Sequence, residues 1–313
     1  MAYTKFVAET TETGISSIIM HLMKHRKTIF LITLVYLLNF VRTTPIIADS
    51  ISDLGNLKPY SINNSAQILV VVQRSHEFAI WQHGKVTHSG FGTPYYAIGM
   101  NEAGHILIKR IISDKDFFAV WDGNRKQNVK LLLINNAEVM GITNRDEILV
   151  NDIRGVGLYS NGTTNWLIKP MPHYTIHATA INDKHQIVGV MMGPFLSSYK
   201  PNPNFSARTF VWERGVFSYL KNPAKGFSYP FSINNHGEIV GEFRPAHAGF
   251  EQLAIMWKSS KSSPIYLNSF LPKNKLWQLL AAKGINDKDD IIGSGNHKGA
   301  HSSFVLSIPK MSH

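Results

Sequence analysis

GINDKDDIIG, residues 284–293, sets three carboxylates (Asp287, Asp289, Asp290) and Asn286 within five positions. Read alone, it suggests a calcium loop. Read against the rest of the chain, it is one copy of a plan that occurs six times: SINNSAQILV (61–70), GMNEAGHILI (99–108), GITNRDEILV (141–150), AINDKHQIVG (180–189), SINNHGEIVG (232–241) and GINDKDDIIG itself. The anchors are Asn63, Asn101, Thr143, Asn182, Asn234 and Asn286, spaced by 38, 42, 39, 52 and 52 residues. The place of Asp287 is taken elsewhere by Asn64, Glu102, Asn144, Asp183 and Asn235, and that of Asp289 by Ala66, Gly104, Asp146, His185 and Gly237. Calcium needs several convergent oxygens, and Ala66 and Gly104 bring none from a side chain. Asn, Asp and Gly are the residues of tight turns that need positive φ or a side chain bonded to its own backbone. The stretch is a turn between two strands.

Around each turn the same elements recur. A short apolar strand precedes the anchor and another follows it. A third ends at Trp81, Trp121, Tyr159, Trp212, Trp257 or Leu306, and in most units a fourth apolar stretch lies beyond, as in VKLLLI (129–134). Four short strands per unit of about 40–50 residues is the pattern of a propeller blade. We name the strands of a unit a, b, c and d. The sixth unit lacks d, whereas SDLGNL (52–57) precedes the first strand a without a partner. Pairing that segment with 304–309 completes six sheets and removes the open edges that invite aggregation. The expected fold is all-β, a six-bladed β-propeller closed by its N-terminal strand and preceded by an N-terminal signal or anchor helix. The competing arrangements are an open stack of hairpins and a sandwich.

DLGNL…SINN, the repeated IND…QIVG, FVW and LNSFLP…GINDKDDIIGSG together resemble the HAF-repeat family of probable extracellular proteins, over residues 51–309. The resemblance implies an exported, propeller-like repeat protein and supplies no catalytic residues. The family's apolar signature is altered in the first half, where Phe78–Ala79 and Phe118–Ala119 stand in units one and two, and Thr143 and Tyr159 in unit three.

The N-terminus independently points to export. From Met23, Lys24, Arg26 and Lys27 lead an apolar run over 29–41, and Pro45 and Ala48 follow it, the layout of a secretory signal peptide. At 1.5 Å per residue that run covers about 20 Å, short of a hydrocarbon core of about 30 Å. The division expected is residues 1–48 as extension and signal, with the start at Met20 or Met23, and 49–313 as a single propeller domain in the periplasm or outside the cell. The membrane would be met only through an uncleaved signal anchor. Loss of 1–48 removes five cations and two acids, lowering the net charge from +11 to about +8. An exported cationic surface suits an acidic glycan or protein partner, and export argues against nucleic acid.

No nucleophile elbow, P-loop, HExxH or dinucleotide glycine fingerprint occurs. RGVGLYSNG (154–162) runs into a strand pattern rather than a helix. His173/His177 and His297/His301 are spaced i, i+4, which separates rings by about 13 Å on a strand. Cysteine is absent, so disulfides, thiolate zinc sites and thiol catalysis are excluded. We therefore expect no catalytic residues, metal or cofactor. The strand-c aromatics, one per unit, read as packing between blades.

Three insertions exceed what a blade needs: 192–207, 244–252 and 268–279. Strands alternate in direction, so all three belong to the face of b–c and d–a connections, here called the crown. They bring Phe195, Tyr199, Phe205, Arg244, His247, Phe250, Lys273, Lys275 and Trp277, aromatic and basic groups suited to sugars or an acidic partner. The expected role is a binding or scaffolding module. The alternatives are an envelope glycan hydrolase or lyase, which would need paired carboxylates, and a passive envelope component.

Overall fold

The computed structural model describes residues 50–73, 75–91, 94–122, 132–133, 137–197, 200–246, 251–272 and 276–308. The N-terminal extension and the expected signal lie outside them. Within this set no helix is long and apolar enough to cross a membrane.

Among the described residues, twenty-four strands form six four-stranded antiparallel sheets. Blade 1 holds β2 (Leu57–Ile62), β3 (Ile68–Val72), β4 (Glu77–Gln82) and β5 (Lys85–His88). Blade 2 holds β6 (Tyr95–Met100), β7 (Ile106–Ile112), β8 (Lys115–Trp121) and β9 (Leu132–Leu133). Blade 3 holds β10 (Glu138–Ile142), β11 (Ile148–Asp152), β12 (Gly155–Ser160) and β13 (Thr163–Ile168). Blade 4 holds β14 (Thr175–Ile181), β15 (Ile187–Ser197), β16 (Lys200–Glu213) and β17 (Val216–Tyr219). Blade 5 holds β18 (Gly226–Ile233), β19 (Ile239–Pro245), β20 (Leu253–Trp257) and β21 (Ile265–Tyr266). Blade 6 holds β22 (Trp277–Ile285), β23 (Asp290–His297), β24 (Ala300–Ser307) and, as its outer strand, β1 (Ser50–Gly55).

The closure is as the unpaired segment implied: β1 pairs antiparallel with β24, Ser50 opposite Ser307 and Asp53 opposite Phe304. The strand begins and ends two residues earlier than expected, because Leu57 already opens β2 and packs in the cluster between blades 6 and 1. Asp53 fixes the latch, accepting hydrogen bonds from the Gly55 N–H (2.7 Å), Ser302 Oγ (2.5 Å) and His297 Nδ1 (2.7 Å). An ionised carboxylate only accepts, so His297 carries its proton on Nδ1.

Packing closes with the backbone. Six apolar clusters fill the six gaps between neighbouring blades, among them one joining Leu54 and Ile292 of blade 6 to Ile62, Ile68 and Val70 of blade 1. An open stack of hairpins would leave that last gap unfilled. The strand-c aromatics serve these clusters, with Trp121, Trp212 and Trp257 all buried.

Side-chain volumes are shared out across each b–c pair. In blades 1 to 3 a branched residue of strand b faces a small one of strand c: Val70–Ala79, Ile108–Ala119 and Val150–Gly157. In blades 4 to 6 the order is reversed: Gly189–Phe210, Gly241–Ile255 and Gly293–Phe304. A Cβ on Gly189 would stand 2.2 Å from the His177 carbonyl oxygen and 2.9 Å from the Phe210 ring. Interiors tolerate little net volume change, so the two halves of the chain solve one packing problem in opposite ways.

Two of the three insertions are less irregular than their sequences suggest. Residues 192–197 and 200–207 are strand rather than loop: β15 and β16 continue their pairing from Met192–Ala207 out to Ser197–Lys200. The 268–279 segment contributes a 3-10 turn over Leu267–Phe270 and then the first residues of β22.

Candidate functional site

Each a–b turn is held by its anchor. Asn63 Oδ1 accepts from the N–H groups of Ser65 (3.1 Å) and Gln67 (3.0 Å), while Nδ2 donates to Gln67 Oε1 (2.8 Å). Asn182, Asn234 and Asn286 repeat this, and their Nδ2 groups also reach the anchor carbonyl of the following blade, Asn286 reaching Asn63 at 3.0 Å. The job needs a donor and an acceptor on one short side chain, which is why Asn recurs and Asp does not. Thr143 achieves it in part, accepting from the Arg145 and Glu147 N–H groups and donating to Glu147.

The next residue of each turn joins a second ring. The N–H of Asn64 donates to Glu102 (2.6 Å), Glu102 to Asn144 (2.8 Å) and Asn144 to Asp183 (2.8 Å). Asp183 then donates to Asn235 (3.0 Å), Asn235 to Asp287 (2.7 Å) and Asp287 to Asn64 (2.7 Å). Amides and carboxylates alternate around this closed hexagon. The oxygens of Asp183 and Asp287 accept from the flanking amides as well. Burial works against the charge of Asp287, but hydrogen bonds from Asn64 and Asn235 outweigh it and hold its pKa below the usual value. Glu102, with fewer such bonds, is pushed up by burial and by the Asp287 and Asp183 charges.

Above this mouth lies an axial cavity of about 180 Å³, close to the ~150 Å³ that accommodates a benzene ring elsewhere. Every strand a carries a β-bulge at the same place, three residues before the anchor. A bulge re-aims a side chain, and the six bulged residues, Tyr60, Ile98, Met140, Thr179, Phe231 and Lys283, all line the cavity. Pro59 and Pro230 are tolerated beside two of them because strand a is the edge strand of its sheet.

Lys283 is the sole cation among the six. Its Nζ lies 3.2 Å from the centre of the Phe231 ring and 4.0 Å from Glu242 Oε2. Burial pushes its pKa down to about 8, with Glu242 pulling upward and Lys58 and Arg244 adding repulsion. Tyr229 is raised by burial and by Glu138 and Glu242.

A second cavity, of about 450 Å³, opens at the crown between blades 1 and 2 and shares Tyr60 with the first. Its walls include Lys58, Tyr60, Phe78, Tyr95 and Tyr96. Three cations stand over its tyrosines: Lys58 at 5.3 Å from the Tyr60 ring, Lys109 at 5.8 Å from Tyr96 and Arg110 at 5.0 Å from Tyr95. Register explains two of these pairs, because Tyr95 lies opposite Arg110 and Tyr96 opposite Lys109 in the β6–β7 hairpin. Tyr96 is 45% exposed, an open aromatic face. This site was readable in principle: YY before one anchor turn and KR after it, counted at equal distances, fall side by side.

Of the nine residues expected at the crown over blades 4 to 6, the structure describes four. Trp277 is the correction: it opens β22, is 8% exposed, stacks on His297 at 4.3 Å and meets Phe304 edge-on, so it is a core residue. Its segment reads as a loop by composition, but the sixth sheet is extended by one more pair, Trp277–His297. Arg244 sits near the end of β19 and binds Glu242 through Nε at 2.8 Å. Phe195 and Phe205 are placed as backbone within the β15–β16 hairpin. Tyr199, His247, Phe250, Lys273 and Lys275 lie outside the described residues. No group of three or more His, Asp or Glu able to hold a metal occurs among the described residues.

No family model matches the chain, and no curated protein matches it. Among solved structures it is similar to a gluconolactonase from Xanthomonas campestris, at TM-score 0.49 and 10% identity, covering 83% of this chain and 89% of that one. It is also similar to a catalytically inactive virginiamycin B lyase from Staphylococcus aureus with quinupristin, at TM-score 0.47 and 8% identity, covering 83% and 99%. TolB from Acinetobacter baumannii gives TM-score 0.47 and 12% identity over 81% and 55%. At such distances what those proteins do says nothing of this chain.

Proposed function

We propose that this protein is an exported, non-catalytic binding or scaffolding module, and that the crown pocket of blades 1 and 2 receives an acidic saccharide. The observation that carries the reading is a cavity of about 450 Å³ walled by Lys58 and by Tyr60, Tyr95 and Tyr96, each of which has a cation over its ring. That volume falls in the ~300–1,000 Å³ range of small-ligand sites. Aromatic faces stack on sugar rings, and Lys58 in the cavity wall supplies charge for a carboxylate or sulfate. The net charge, about +8 without residues 1–48, acts in the same direction at long range.

Hydrolysis would need two carboxylates about 5–9.5 Å apart across one bond. Glu138 is engaged with His177 at 3.4 Å, and Glu242 with Arg244, which supports binding over bond cleavage. The test is a glycan array and titration calorimetry on the chain from residue 49, with Tyr96→Ala and Lys58→Ala beside the wild type. Retention of acidic glycans that falls about tenfold or more in each variant supports the site. Binding that survives both substitutions places the ligand elsewhere and overturns it.

A further inference from the structure

We propose that Lys283 is a covalent acceptor for small carbonyl compounds, forming an imine in the axial cavity beside Phe231. This goes beyond the crown pocket and does not depend on its being occupied.

Position comes first. Lys283 is the bulged residue of β22, so its side chain is directed into the cavity rather than out to bulk solvent. Phe231 covers it from one side, and its own side chain keeps 35% exposure, enough for a small molecule to reach Nζ. A lysine amine attacks a carbonyl only when neutral, and desolvation beside other cations is the established way of making it so. Here burial, Lys58 and Arg244 act in that direction and Glu242 against it. The ring face of Phe231 also favours the ammonium form. The balance leaves roughly a tenth of the side chain neutral at pH 7, against well under a thousandth for an ordinary lysine.

Glu242 completes the arrangement. It is buried, its Oε1 is taken by Arg244 at 2.8 Å, and its Oε2 faces Nζ at 4.0 Å, too far for a direct hydrogen bond yet near enough to exchange a proton once a substrate intervenes. In the step, the nitrogen lone pair attacks the carbonyl carbon and the C=O pair moves to oxygen. The first N–H proton passes to that oxygen and makes it a hydroxyl; Glu242 takes the second and delivers it to the hydroxyl, which leaves as water while C=N forms. Amine and carbonyl enter, imine and one water leave, and nothing is oxidised or reduced. A cavity of about 180 Å³ keeps the ligand small.

The experiment treats the folded wild-type chain with glyoxylate and cyanoborohydride at pH 7, then maps carboxymethylated lysines by peptide mass spectrometry. Lys283 is expected to label about tenfold or more faster than exposed Lys85 and Lys115. Glu242→Gln, checked for folding by circular dichroism, should slow Lys283 without changing those two. If Lys283 labels no faster than Lys85 and Lys115 in the wild type, the proposal is overturned, whatever the variants do. A glycan-binding result at the crown is untouched by either outcome.

Discussion

Asn64 and Asp287, 223 residues apart in the chain, bind each other reciprocally: the Asp287 N–H donates to Asn64 Oδ1 at 2.7 Å and Asn64 Nδ2 donates to Asp287 Oδ2 at 2.9 Å. This pair is the point where the ring of turns becomes a ring rather than an arc.

Asp287→Asn tests it with almost no change of shape. Asp287 Oδ2 accepts from both Asn64 and Asn235, and an amide nitrogen in its place would face two donors. Bonds to charged groups are worth about 1.5–3 kcal/mol each, and with partial exposure we expect about 2 kcal/mol lost in denaturant unfolding. The folded pKa of Asp287 is depressed, so its stabilisation is full above the ordinary carboxylate range and is lost as pH falls through the folded value. The gap between wild type and variant should therefore close on acidification below about pH 4; a gap independent of pH would contradict it.

Ala66→Gly should stabilise the protein. Every a–b turn puts its fourth residue at positive φ: Ala66 (56°), Gly104 (82°), Asp146 (58°), His185 (58°), Gly237 (82°) and Asp289 (66°). Left-handed backbone costs an L-residue about 1–2 kcal/mol, and Ala66 has no side-chain oxygen with which to offset it. After the entropy glycine brings to the unfolded chain, a gain of about 0.5–1 kcal/mol is expected in thermal melts.

Asp53→Ala should loosen the latch. It removes the acceptor for Gly55, Ser302 and His297 while sparing the β1–β24 ladder. We expect about 1–2 kcal/mol of destabilisation and faster amide exchange in β1 than in β2. Uniform acceleration across all blades would mean that the latch is not the weak point. Burial raises the pKa of Asp53, but bonds from Ser302, Gly55 and His297 lower it further, so this contribution also fades in acid.

Lys283→Met should raise the melting temperature at pH 7. The folded pKa of about 8 lies below that of an unfolded lysine, so the unfolded chain binds more protons and stability rises with pH between the two values. The advantage of the variant should shrink from pH 7 towards pH 10, as the wild type sheds the same charge. A constant advantage would mean that the ammonium is not strained by its surroundings.

The sequence carried the fold because turns are local. Asn63, Asn182, Asn234 and Asn286 bond residues two and four positions on, so the pattern survives in a ten-residue window, and six copies of the turn give the blade count. The latch was legible for the same reason, apart from a shift of two residues set by Leu57. The cavity was not legible. Tyr60, Ile98, Met140, Thr179, Phe231 and Lys283 share no chemistry, only a bulge that no residue type announces. Trp277 was misplaced because Lys273 and Lys275 make its surroundings look like a loop, whereas its partner His297 lies 20 residues later. The altered signature of the first half follows from the exchanged volumes of Val70–Ala79 and Gly189–Phe210, which appear only once register is known.

The pairing of Asp53 with Phe304 also sets a timetable. At about 5–20 residues per second, a ribosome takes on the order of ten seconds or more to travel from one to the other. For all of that time β1 is an unpaired edge whose backbone groups lack their proper neighbour. The ring can therefore shut only after synthesis is almost complete, and until then five sheets wait on a sixth whose outer strand was made first.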